Sequence, residues 1–65
     1  MDLLRQVLVD APADEQAHRR LMELYRGAGR RDLVLRQYEI LVATLESLGV
    51  VPDEETALLF RELMR

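Results

Sequence analysis

Apolar side chains recur along most of the chain at intervals of three or four positions, and no stretch alternates apolar and polar residues. This spacing predicts amphipathic helices, because a strand with one buried face needs a period of two. In the segment "DLLRQVLV", one helical face collects Leu3, Leu4, Val7 and Leu8. The pattern therefore predicts an all-α protein.

Three interruptions divide the pattern into four helices. Pro12 biases Ala11 away from helical geometry, and the glycines of "GAG" and Gly49 favour the left-handed conformation that closes a helix. Asp53 is a predicted N-cap of the last helix. Because each connection is short, we expect antiparallel hairpins within a single module, residues 1–65. The helices are predicted at about 2–9, 13–27, 31–48 and 53–64.

The second helix has a predicted buried side and a predicted polar side. Its buried arc contains seven residues: Ala17, His18, Leu21, Met22, Leu24, Tyr25 and Ala28. The opposite side carries a polar stripe, formed by Gln16, Arg19, Glu23 and Arg26. A stripe of this kind is available to a partner.

The break "RGAGRRDLVLRQ" between the second and third helices raises the question of a DNA-binding helix-turn-helix. A recognition helix needs a polar face for the groove, but this one begins with three consecutive apolar residues, 33–35, and has apolar stripes on two sides. Although residues 19–36 are locally basic, the formal net charge of the chain is −3. We therefore expect no direct contact with nucleic acid.

Length and composition restrict the remaining classes. A chain of 65 residues forms one small domain with a limited core. It has no cysteine, no secretory signal, and no apolar run near the roughly 18 residues that cross a bilayer. We expect a cytoplasmic protein with no membrane contact.

No catalytic or metal-binding constellation is found. Glu15 and His18 have the i, i+3 spacing of di-metal bundles, but such sites need a second motif of this kind and the chain has one histidine. Gly27 and Gly29 are not followed by the Lys and Ser or Thr of a phosphate-binding loop. No hydroxyl has a base beside it. We expect no enzyme activity, no cofactor, no metal and no small-molecule substrate.

The hairpin of the second and third helices resembles a tetratricopeptide repeat. Leu21, Tyr25, Gly29 and Tyr38 stand at positions that match that pattern. Two departures are found, with Met22 replacing a small residue and Val34 replacing alanine. The resemblance implies stacked antiparallel helices with a groove lined by the first helix of each pair.

A narrower resemblance covers residues 17–63, "AHRRLMELYRGAGRRDLVLRQYEILVATLESLGVVPDEETALLFREL". This segment resembles the C-terminal part of the bacterial transcriptional activator domain, as in streptomycete antibiotic regulatory proteins, and the "LGVVPDEET" junction is not general to tetratricopeptide repeats. The family's domain typically follows a winged-helix domain and serves oligomerisation and contacts with other proteins. The resemblance implies that the chain is a fragment or a reduced relative of this domain.

Two functions are compatible with these observations. The first is a protein-interaction and oligomerisation module of a bacterial transcriptional regulator, and the second is a freestanding adaptor or structural repeat unrelated to transcription. In either case, the polar stripe of Gln16, Arg19, Glu23 and Arg26 is the candidate surface for a protein partner, and the alternative is that it is a solvated helix face. Self-association as a homodimer would use the apolar stripe of Leu3, Leu4, Val7 and Leu8, unless the first helix folds back to give a four-helix monomer.

Overall fold

Residues 2–65 fold into four helices. The computed structural model describes residues 2–65, with side chains from residue 3 onward, and this part of the chain contains no strand. The all-α class and the number of helices predicted from the sequence are confirmed. The helices are α1 (Asp2–Asp10), α2 (Glu15–Gly27), α3 (Arg31–Ser47) and α4 (Glu54–Leu63).

The two acidic residues that precede α2 and α4 act differently. The Asp14 carboxylate accepts a hydrogen bond from the Ala17 N–H at 3.2 Å and is a true N-cap. Asp53 occupies the N-cap position of α4, but its side chain makes no capping hydrogen bond. Instead, its backbone N–H donates to the Glu15 carboxylate at 2.9 Å. The predicted N-cap position of Asp53 is therefore confirmed, but its side chain does not cap the helix, and the Glu15 carboxylate of α2 holds this end of the chain segment instead.

Glycines end α2 and α3, as the sequence predicts. Gly29 and Gly49 both have a φ of 74°, in the left-handed region. Beyond them, the Arg30 N–H donates to the Tyr25 carbonyl at 2.9 Å, and the Val50 N–H donates to the Leu45 carbonyl at 3.0 Å. These are the hydrogen bonds of a Schellman motif, which satisfies carbonyls that a helix end would otherwise leave unpaired.

The core lies between α2 and α3 and is closed by α4 on one side. Its buried apolar residues are Ala17, Leu21, Met22, Tyr25, Val34, Leu41 and Leu45. The Tyr38 ring of α3 stacks on the Phe60 ring of α4 with the centroids 4.0 Å apart. This contact attaches α4 to the second helix of the hairpin.

The predicted buried arc of α2 is correct at five positions and wrong at two. Leu24 is 41% exposed, and Ala28 is also exposed at the end of the helix. The reason is the length of the neighbouring helix: nine residues make α1 about 13 Å long, whereas the thirteen of α2 extend about 20 Å. Running back from the turn at 11–14, α1 does not reach the far end of α2.

Helices α2 and α4 run parallel, with α3 returning between them. Contacts between them join Glu15 to Asp53, Arg19 to Thr56 and Arg26 to Leu63, at sequence separations of 38, 37 and 37. The α1 backbone packs on α2 and does not reach α4 within residues 2–65. Helix α2 is thus central, flanked by α1 and α4, in an arrangement like that of tetratricopeptide repeats.

Within residues 2–65, no helix combines the length and apolar composition needed to span a bilayer.

Candidate functional site

A groove of about 520 Å³ runs along α2 between α1 and α4. Its walls and floor are formed by nine residues: Leu4, Val7, Asp14, Gln16, Ala17, Arg19, Arg20, Glu23 and Glu55. The α1 wall is apolar, whereas the floor and the α4 wall are charged. An apolar surface bordered by polar residues is the usual anatomy of a protein–protein interface.

The apolar stripe predicted on α1 divides into an inner and an outer half. Leu4 and Leu8 are half-buried and pack against the core, so α1 folds back onto α2 within the chain. Leu3 is 83% exposed and Val7 is 39% exposed. This is the alternative in which the first helix folds back, and it covers only the inner half of the stripe. The outer half stays available for self-association, which remains a prediction.

The polar stripe predicted on α2 also divides. Gln16 and Glu23 are exposed and line the groove. Arg19 is largely covered, because its Nη1 donates to the Thr56 hydroxyl at 2.8 Å and its Nη2 lies 3.8 Å from the Glu55 carboxylate. The Arg19 guanidinium consequently holds α4 while forming part of the groove wall.

Arg26, the fourth residue of the stripe, does not line the groove. Its Nε donates to the Leu63 carbonyl at 3.0 Å, near the C-terminal end of α4, where the carbonyls carry a partial negative charge. Arg19 and Arg26 therefore bind α4 from the same chain. A role for them in binding a protein partner stays a prediction, and these internal contacts would compete with it.

Arg20 lines the groove although it lies outside the polar stripe that the sequence predicts. The predicted stripe consists of positions 16, 19, 23 and 26. The periodicity of one helix does not show on which side a neighbouring helix will pack. Because α4 covers the Arg19 side, the most exposed line on α2 is Gln16, Arg20, Glu23 and Gly27. The i, i+4, i+7, i+11 spacing of these residues was the available signal.

His18 links three parts of the chain inside the core. Its ring is 1% exposed, and its Nε2 donates to the Pro12 carbonyl at 2.9 Å. Its Nδ1 accepts from the Gln37 amide at 2.8 Å. This histidine joins the α1–α2 turn to α3 and is buried, as the sequence predicts for this side of α2.

The arginines after the α2–α3 break are engaged within the chain. The Arg30 guanidinium donates to both oxygens of the Asp32 carboxylate, through Nε at 3.0 Å and Nη2 at 2.9 Å. This hydrogen bonding, helped by the charge of the guanidinium, lowers the pKa of the Asp32 carboxyl below its usual value. Arg31 donates to the Arg65 carbonyl at the end of the chain. The local basic cluster is thus partly committed to internal contacts.

Glu15 and His18, which have the spacing of a di-metal motif, are both engaged within the chain. One Glu15 carboxylate oxygen accepts from the Asp53 backbone N–H and both His18 nitrogens are hydrogen-bonded, so both residues of that i, i+3 pair have partners within the chain. Within residues 2–65, no three His, Cys, Asp or Glu side chains are grouped so that they could hold a metal ion.

Comparisons with known proteins give one match. A family model described as the bacterial transcriptional activator domain matches residues 1–64. No curated protein and no solved structure matches the chain. The family match includes α1, which lies outside the segment on which the sequence resemblance rests.

Proposed function

Because the chain belongs to the bacterial transcriptional activator domain family and is thereby a domain of a transcriptional regulator, we propose that it acts there as a protein-association module. It performs no chemistry itself and takes no cofactor or small-molecule substrate. The match with this family favours a role in transcription over a freestanding adaptor. Regulators of this kind act where the DNA is, so we expect a cytoplasmic location.

The observation that carries the proposal is the groove beside α1. The groove brings the apolar side chains of Leu4 and Val7 next to exposed charges on α2, and Leu3 extends the apolar surface to the end of α1. A chain of this size has little core, so covering apolar surface by association would also stabilise the fold. Apolar contact drives association at roughly 25 cal/mol per Å² buried, before the entropy cost is subtracted.

The partner at the apolar surface is proposed to be a second copy of the chain, giving a homodimer. Two-fold symmetry allows a single patch to satisfy both partners. The exposed apolar surface of α1 is small, so the dimer is expected to be weak and to depend on concentration. Gln16 and Glu23, with the accessible part of Arg19, are proposed to contact the partner along the groove, and Arg26 would contribute by holding α4 in place.

The test is sedimentation equilibrium across micromolar to millimolar concentrations. We expect reversible dimerisation of the wild-type chain and a shift toward monomer in the Leu3→Glu variant. Val9→Glu is the matched control, because Val9 is also on α1 and is 74% exposed, but it lies on the side of the helix away from Leu3 and Val7. A single species of 7.6 kDa for the wild type would contradict the proposal.

A further inference from the structure

The outward face of α2 carries one positive and one negative side chain that form no ion pair within residues 3–65. Arg20 and Glu23 are exposed and sit side by side at the middle of the helix. Neither makes an ion pair or a side-chain hydrogen bond within residues 3–65, whereas Arg19 and Arg26 on the α4 side are both engaged. The charged pair is flanked on the same face by Gln16 toward one end and Gly27 toward the other.

This face is complementary to itself. If two copies of α2 cross in antiparallel orientation about a point between Leu21 and Met22, Arg20 of each copy faces Glu23 of the other. The same register places the long Gln16 side chain opposite Gly27, which has no side chain and meets no atom within 4 Å where a Cβ would stand. Both the charges and the sizes of the side chains therefore match under one two-fold axis.

The same axis also brings the two α1 helices into contact. A two-fold axis that lies in the contact plane and runs perpendicular to α2 keeps α1 on the same flank in both copies. The α1 helices then meet each other, so that exposed Leu3 and Val7 of one copy contact those of the other. Apolar surface is covered by apolar surface, next to the charged pairs of α2.

We infer that the groove face of α2 binds a second copy of this chain in antiparallel register, with reciprocal ion pairs between Arg20 and Glu23. This inference rests on the proposed self-association and adds the geometry and the recognition elements. The exposed pairs contribute little to affinity, because solvent screens them. Their effect is on register and partner choice, since like charges placed opposite each other oppose binding.

Charge reversal tests the register. Arg20→Glu places two acidic side chains opposite each other at both symmetric positions, and Glu23→Arg does the same with basic ones. We expect each variant to raise the dimer dissociation constant at least tenfold in sedimentation equilibrium at low salt. The double variant, Arg20→Glu with Glu23→Arg, restores opposite charges across the axis and should dimerise like the wild type. An equimolar mixture of the two single variants should form a heterodimer.

Arg36→Glu is the control for net charge, because Arg36 is exposed on α3 and forms no ion pair within residues 3–65. Circular dichroism checks that every variant stays helical. Equal weakening by Arg36→Glu, or failure of the double variant to recover, would overturn the register. If the wild type dimerises and all the variants dimerise equally well, this inference alone is rejected. If the wild type is a monomer, the proposed self-association is rejected as well.

Discussion

His18 and Gln37 are buried polar residues that bind each other, and Thr56 is a third buried polar residue among residues 3–65. The imidazole reaches the Pro12 carbonyl with one nitrogen and the Gln37 amide with the other, so each of its polar atoms has a partner. Buried polar groups are tolerated when they are paired in this way and are costly when one partner is removed. This pair fixes the α1–α2 turn against α3 with a specificity that apolar contacts would not provide.

Replacing Gln37 by leucine should therefore destabilise the protein. The His18 Nδ1 would lose its donor inside the core, and we expect the free energy of unfolding to fall by about 1–3 kcal/mol. Urea denaturation followed by circular dichroism measures this change. Glu39→Leu is the control on the same helix, because Glu39 is exposed and should change stability by no more than about 0.5 kcal/mol. Equal effects of the two substitutions would show that the hydrogen bond is unimportant.

At the scale of elements, α4 depends on polar contacts with α2 to an unusual degree. Thr56 faces α2 and is fully buried, and its hydroxyl accepts from Arg19. Glu15 holds the first backbone N–H of the helix, and Arg26 binds a carbonyl near its end. Three side chains of α2 thus set the position of α4 along its whole length.

Thr56→Val tests this attachment with little change in volume. The Arg19 Nη1 would lose its acceptor and keep only the more distant Glu55 carboxylate, so we expect a loss of about 1–2 kcal/mol in the free energy of unfolding. Thr44→Val is the matched control. The Thr44 hydroxyl donates to the Ile40 carbonyl of its own helix, and its removal should have almost no effect. If Thr44→Val is as destabilising as Thr56→Val, the Arg19 contact does not hold α4.

The sequence predicts where the helices begin and end better than it predicts which helices pack against each other. Helix ends follow from local chemistry, as in the left-handed conformation of Gly29 and Gly49, and can be read from the residue types. Which side of α2 would be covered by α4 could not be read, because the amphipathic pattern defines a buried face but not its edges. For this reason the stripe predicted to be available to a partner includes Arg19, which binds Thr56 of α4. The same stripe omits Arg20, which is exposed. The exposure of Leu24 depends on the length of α1, which is a property of two elements together.

For the whole molecule, charge and packing together argue against DNA recognition by this chain. The net charge is −3, and Arg30 and Arg31 of the cluster after the α2–α3 break bind within the chain. We predict no sequence-dependent binding to duplex DNA at about 150 mM salt, where phosphate contacts are weakened by counterion competition. Fluorescence anisotropy with labelled duplexes of different sequence measures this directly. Salt-tolerant binding that depends on sequence would contradict the prediction.

The separation of about 37 residues between contacting positions of α2 and α4 has a consequence for the order of folding. The α2–α3 hairpin closes through a three-residue connection, residues 28–30, whereas the polar contacts that tie α4 to α2 join residues 36 to 38 positions apart. Longer loops cost more entropy to close, so the hairpin is expected to form first and to present α4 with a finished surface. Helix α4 then docks as a late step, and in the native state it would be among the first parts to exchange its amide hydrogens with solvent.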